Sequence, residues 1–327
     1  MTATQPRPST PIASPAPGTA GPEGGIRSYH GQAVLKEPIW TWEIPCYFFT
    51  GGLAGGSAGL AFLSGIRGNE VLARRAWATA AVAGAASPAL LISDLGRGAR
   101  FLNMLRMFKL TSPMSVGSWI LAGAGSAIPL AALDAWTGLV PPRVARPART
   151  VAALLGLPLS TYTAALVANT AIPVWHEARR TLPFVFGAGA AMSAGAAAVA
   201  VTPTAAAAPA RRLALGGAAM GLVATEVMER QLGDHAEPYH QGAAGRFRRL
   251  ARVLGPIGAA LLLWRGRSSR AAAVSGGALL GGTALATRWS VFKAGFQSAA
   301  DPKYVVGPQR EAIRRGERAG AARTQPR

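Results

Sequence analysis

The sequence predicts an all-α, polytopic membrane protein with eight transmembrane helices in one bundle. Three observations predict it. Half of the 327 residues are hydrophobic, the apolar residues run in long unbroken blocks, and the charges collect between the blocks. A soluble domain alternates apolar and polar residues at helix or strand period. A bilayer instead demands about 20 mostly apolar residues per helix. Such blocks fall at 43–65, 76–94, 113–134, 150–174, 182–202, 212–229, 250–265 and 271–289.

Residues 1–27, rich in Pro, Ala, Thr and Ser, read as a disordered tail, not a signal peptide, because they lack an apolar core. The membrane domain is expected over 28–300. Its approach carries Trp40 and Trp42, whose amphipathic rings suit the membrane interface. The first span opens on Glu43, Ile44 and Pro45, and proline is tolerated in a first helical turn. Gly51, Gly55 and Gly59 follow at four-residue spacing as a close-packing stripe. The string Gly55-Gly56-Ser57-Ala58-Gly59 matches a serine-hydrolase elbow, but that elbow needs a strand-to-helix turn, which a membrane helix does not supply. The 2–3 connection alternates cations (Arg97, Arg100, Arg106, Lys109) with Phe101, Leu102, Leu105 and Phe108, and so predicts an interfacial amphipathic helix. The fourth span closes on Pro173-Val174-Trp175-His176-Glu177 and the sixth on Glu226 to Arg230. Pro256 and Gly258 interrupt the seventh and shortest. Residues 301–327 read as a basic, polar C-terminal tail.

The net charge of +20 would suggest nucleic acid in a soluble chain. Here Lys and Arg sit in tails and loops, where they orient spans and meet anionic lipid, so nucleic acid is not an expected partner and membrane lipid is. Their excess on the N-terminal side places both termini in the cytoplasm, with the chain in a bacterial cytoplasmic membrane. Cys46 is the single cysteine, which excludes an intrachain disulfide and a cluster ligated by this chain alone. Of the four histidines only His176 borders a span, so bis-His haem is not expected, and no metal-ligand or nucleotide-binding spacing is present.

An even number of spans brings particular helix ends to one rim. Glu43, Asp94, Glu177, Glu226 and Glu229 all fall on the N-terminal side, with His176 among them. They are five of only 14 acidic residues, and Asp134 is the main exception. Acids near membrane depth are unfavourable unless they face a polar cavity or a partner charge. A rim of carboxylates with a histidine suits acid/base exchange with a lipid-soluble substrate whose redox step moves protons, such as a quinol.

Several strings are similar to a known family. Trp40-Thr41-Trp42-Glu43-Ile44-Pro45-Cys46-Tyr47-Phe48-Phe49-Thr50-Gly51-Gly52 resembles the opening of the NrfD/polysulfide-reductase membrane-subunit family. So do Asp94-Leu95-Gly96-Arg97, Phe101-Leu102-Asn103-Met104 with the stretch from Thr111 to Trp119, and Pro173 to Arg179. The resemblance covers roughly 28–300. It implies eight spans, no redox cofactor in this chain (no haem, no iron–sulfur cluster), and menaquinone or ubiquinone as substrate. The implied partners are a ferredoxin-like iron–sulfur subunit and a molybdopterin catalytic subunit. By position, Trp42, Glu43, Tyr47 and Asp94 would line the quinone pocket, and Arg97, Asn103 and Ser112 would shape its mouth. His176 and Glu177 would form its wall or a proton route, with Glu226 as a further proton-route candidate. No residue is expected to be catalytic in its own right or to bind metal. The alternative from another class is a proton or ion translocator. It needs a polar path across the membrane, and mid-span polar residues are sparse (Ser57, Thr163, Asn169). A purely structural anchor is the third reading. The charge count favours a cytoplasmic electron-transfer face, whereas the family is better known with partners on the outer side.

Overall fold

A computed structural model describes residues 34–96 and 98–314. The N-terminal tail and Arg97 lie outside the described residues. The described elements are helical: α1 (Glu43–Ile66), α2 (Glu70–Leu95), α3 (Ala99–Met104), α4 (Pro113–Thr137), α5 (Pro142–Ala168), α6 (Pro173–Glu177), α7 (Leu182–Val201), α8 (Ala208–Leu232), α9 (Gly242–Trp264), α10 (Arg270–Ala300) and α11 (Lys303–Arg314). Short 3-10 segments at Ala178–Arg180 and Gly233–Tyr239 join α6 to α7 and α8 to α9.

Five helices, α1, α2, α4, α5 and α7, are long and apolar enough to cross a membrane. At 1.5 Å per residue even the shortest, α7 with 20 residues, spans about 30 Å, the thickness of the hydrocarbon core. Helices α8, α9 and α10 cover the remaining three expected spans but are less apolar. The cause is local: Arg211, Arg212, Glu226 and Glu229 lie within α8, four arginines crowd the first half of α9, and α10 contains Arg288 and Lys293 among Gly and Thr.

Capping groups explain the helix limits. Asn69 accepts from Leu72 N at 3.1 Å to start α2, and Ser269 accepts from Ala272 N at 3.3 Å to start α10. Gly96 (φ 69°) and Gly138 (φ 65°) end α2 and α4 in the left-handed region, where a side chain would be strained.

Several boundaries differ from the sequence reading, most often because a helix runs beyond its apolar block, as α2, α5, α8 and α9 do at their starts. The fourth span stops at Ala168, and Pro173–Glu177 forms a separate turn. Pro173 forces Ile172 into an extended conformation (ψ 121°), which breaks the run. Helix α9 passes straight through Pro256, and α10 continues eleven residues past 289. The expected amphipathic helix after α2 shrinks to the six residues of α3, because Gly96 redirects the chain on one side. On the other side, residues 107–109 are tied to α4: Ser115 Oγ donates to Met107 O (2.9 Å) and accepts from Lys109 N (3.0 Å). Within the expected C-terminal tail, residues 303–314 form α11.

The helices run up and down between two rims. On the rim opposite the N-terminus of α1, Asn69 Nδ2 donates to Ala206 O (2.9 Å), Asp134 pairs with Arg149 (2.6 Å), and Arg211 donates to Gly266 O (3.1 Å). Small residues set the spacing between helices. Gly55 of α1 faces Gly156 of α5 so closely that a Cβ at either would clash with the other's backbone. Its neighbour Gly56 packs in the same way on Ala190 of α7, whereas Gly59 faces open space. The glycine stripe is thus real at one of its three positions, and the hydrolase-like string lies inside a continuous helix.

Candidate functional site: the acidic rim

The site starts where the chain enters α1. Trp40 stacks on Trp175 of α6 (centroids 5.6 Å apart), and the Trp175 indole, fully buried, donates to Val291 O of α10 at 2.8 Å. Gly295 leaves room for that indole; a Cβ there would overlap it. These aromatic contacts tie the start of α1 to α6 and the end of α10.

Thr41 comes next and joins two of the expected residues. Its backbone N–H donates to Asp94 Oδ1 at 3.3 Å, and its hydroxyl lies 2.9 Å from the same oxygen. That hydroxyl also makes a short hydrogen bond with Glu43 Oε2, and Ser93 Oγ donates to Glu43 Oε1 at 3.4 Å. The opening of α1 and the end of α2 therefore share a cluster of two carboxyls and two hydroxyls. A threonine hydroxyl has one proton to give. The Thr41 hydroxyl bridges the two carboxyls.

Trp42 stands beside the cluster, 59% exposed, and Tyr47 is buried one turn deeper, edge-on to Tyr162 of α5. Asn103 is exposed on α3. Ser112 is engaged in capping α4, accepting from Ser115 N at 3.4 Å. His176 and Glu177 are exposed on α6, with Glu177 3.7 Å from Arg179.

Glu226 belongs to a second group in the other half of the bundle. It pairs with Arg230 (3.1 Å) and Arg252 (3.5 Å). Glu229, 9% exposed, takes a two-pronged bond from Arg248 (2.6 and 2.5 Å) and also contacts Arg252 and His240 (3.6 and 3.4 Å). Bidentate guanidinium–carboxylate geometry of this kind is strong and directional. The structure thus joins Glu43 with Asp94 and Glu226 with Glu229, as two clusters on one rim.

Sequence reasoning missed Thr41, Ser93, Arg248 and Arg252. Thr41 lies between two conspicuous tryptophans, and Arg248 falls in the cation-rich stretch just before the seventh apolar block. Arg288 was missed as well. It is 2% exposed, bonds Phe186 O at 2.7 Å and lies over the Phe186 ring at 3.7 Å. No group of three or more His, Cys, Asp or Glu that could hold a metal ion occurs among the described residues.

An all-helical chain with several bilayer-length apolar helices and titratable groups gathered on one rim defines a multi-pass membrane protein with polar chemistry at one face. A family model described as "Polysulphide reductase, NrfD" matches residues 30–225, and the chain belongs to this family. Its members are membrane subunits of polysulfide-reductase-like oxidoreductases and typically partner with iron–sulfur subunits. Comparison with curated proteins finds no match.

Proposed function

We propose that this chain is the quinone-reactive subunit of a multi-subunit oxidoreductase. It exchanges electrons between menaquinone or ubiquinone and a partner iron–sulfur protein, which connects to a molybdopterin catalytic subunit. In this reading all eight long helices span a bacterial cytoplasmic membrane, with both termini cytoplasmic. The carrying observation is the Glu43–Thr41–Asp94 cluster, within a segment that the family match covers. Quinol oxidation releases two electrons and two protons. A carboxyl pair that bridges through one hydroxyl accepts such protons beside an apolar wall that includes Tyr47. Trp42 lies at the lipid edge of this pocket. Asn103 and Ser112 are assigned to its mouth, as is Arg97 by its place in the sequence alone, and His176, Glu177 and Glu226 are the acids and base assigned to the aqueous face. This chain supplies no redox centre of its own, so electrons must leave directly to a cluster docked on the same rim.

The test is quinol-linked turnover by the assembled complex. Asp94→Asn and Glu43→Gln should each reduce quinol oxidation at least tenfold, while the partner subunits stay bound and their turnover with a soluble electron donor is preserved. Undiminished quinol turnover in both variants removes these residues from the site. A purified complex without an iron–sulfur partner removes the function.

A further inference from the structure

We propose that the cleft enclosed by α7, α8, α9 and α10 is a binding site for a neutral, lipid-soluble carbonyl compound of the isoprenoid quinone class. In it the carbonyl oxygen accepts from Tyr239 and the chain leaves between α8 and α9. The choice of quinone among carbonyl amphiphiles, and the meeting of the opening with lipid, rest on the function proposed above; the cleft and its donor do not.

Four observations carry this. First, the cleft has a volume of about 410 Å³, within the range of small-molecule sites. Its walls are mainly apolar, with Met192 from α7, Leu222 from α8, Ala259 from α9 and Val291 from α10. Second, it opens sideways. Helix α8 packs along α7 and α9 along α10, while α8 and α9 barely touch each other. Leu222 and Leu263 flank the gap and are 64% and 61% exposed, at a depth where a bilayer would meet them.

Third, the polar end is already balanced in charge. Glu226 and Glu229 are matched by Arg248 and Arg252. A phosphate head would meet two carboxylates there, and a cation would meet two guanidiniums, so a neutral head is favoured. Fourth, a buried donor in the wall is unmatched. Tyr239 is 2% exposed, and its hydroxyl is buried without a hydrogen-bond partner. Three further wall hydroxyls are engaged by backbone carbonyls: Thr283 by Leu279 O (2.9 Å), Thr287 by Thr283 O (2.9 Å) and Ser290 by Ala244 O (3.0 Å). Burial, together with the nearby Glu229 carboxylate, pushes the Tyr239 phenol up, so it stays protonated. A protonated phenol at the end of an apolar slot offers one hydrogen bond to an acceptor that carries a greasy tail, which is the form of a quinone carbonyl.

The experiment uses the full chain in phosphatidylglycerol-containing nanodiscs with a photoreactive azido-quinone. Peptide mapping should place the label on residues from α8 to α10, and unlabelled decylquinone should displace it. Tyr239→Phe should weaken competition about tenfold, as the loss of one hydrogen bond predicts, and Ala259→Trp should abolish labelling of the cleft by filling it. If the tryptophan variant fails to fold, Tyr239→Phe alone decides. Label confined to α1 and α2 overturns the cleft site and leaves the proposed function standing. No label anywhere on the chain overturns both. A co-purified phospholipid that decylquinone does not displace, with no label on α8–α10, assigns the cleft to a structural lipid and overturns the proposal.

Discussion

The two halves of the bundle hold their acids in opposite ways. At the junction of α1 and α2, Glu43 and Asp94 meet hydroxyls and a backbone N–H. At the junction of α8 and α9, Glu229 is clamped by Arg248 and flanked by Arg252 and His240. The first arrangement joins two helix ends through a shared hydroxyl. The second is a bidentate guanidinium–carboxylate pair, which acts as a directional structural tie. Packing differs in parallel. Around α1 the helices touch backbone to backbone, Gly55 on Gly156, whereas α8 and α9 separate around a cleft of about 410 Å³. Close backbone packing makes the first half the tighter of the two, and the second half keeps an open cleft.

The sharpest test of this contrast is removal of the clamp. The side chains of Glu229 and Arg248 are only 9% and 11% exposed, so Glu229→Ala strands a buried guanidinium and should cost about 3–5 kcal/mol. Asp94→Ala, which breaks hydrogen bonds at an exposed edge, should cost only about 0.5–1.5 kcal/mol. Denaturation midpoints in matched detergent compare the two, and equal losses would break the distinction. Packing gives the next effect. A methyl added by Gly55→Ala collides with Gly156 O, and the variant should lose about 1–3 kcal/mol. Gly221→Ala lines the cleft, and its added Cβ stands 3.8 Å from Ala188 Cβ, so it should gain about 0.5–1 kcal/mol of helix propensity. A gain at both sites would mean that the first half packs no more tightly than the second.

Thr41→Val should lower stability by about 1 kcal/mol and decouple the two carboxyls, seen as faster amide exchange at the start of α1. Unchanged exchange would show that the aromatic contacts of Trp40 hold this segment alone.

The smallest effect concerns α11. Lys303 lies 2.7 Å from Glu237 and Tyr304 donates to Glu237 at 3.0 Å. The bond from Lys303, with a further one from Tyr304, holds the Glu237 carboxyl below its usual range, and Glu237 in turn raises the Lys303 ammonium. A depressed acid stabilises above its unfolded value and loses that contribution as pH falls through the folded one. A raised base stabilises below its unfolded value and loses it as pH rises through the folded one. Docking of α11 should therefore be flat through neutral pH and loosen only in strong acid or strong base. Amide exchange of residues 303–307 against pH measures this, and Glu237→Gln should remove the acid limb.

Much of the fold is legible in the chain because bilayer-length apolar runs are a one-dimensional property. The runs from Glu43, Pro113 and Leu182 become helices at nearly the predicted limits. Other limits moved because helices extend past their apolar blocks, as α10 does to Ala300, or because a single residue acts on its neighbours, as Pro173 does on Ile172. The convergence of Glu43 and Asp94 follows from up-and-down connectivity alone, so counting spans was enough to bring them to one rim. The hydroxyl between them was hidden, since a threonine among tryptophans carries no signal until two helix ends meet.

By itself, then, the sequence determined the class of solvent, the helices that lipid requires and the rim on which scarce acids gather, because each follows from local hydropathy and the alternation of direction. Tertiary structure alone decided which carboxyl meets a hydroxyl and which an arginine, where Gly55 lets backbones touch, and where α8 parts from α9. Those outcomes depend on the relative rotation and separation of helices far apart in the chain, and small residues set that spacing only once their partners are in place.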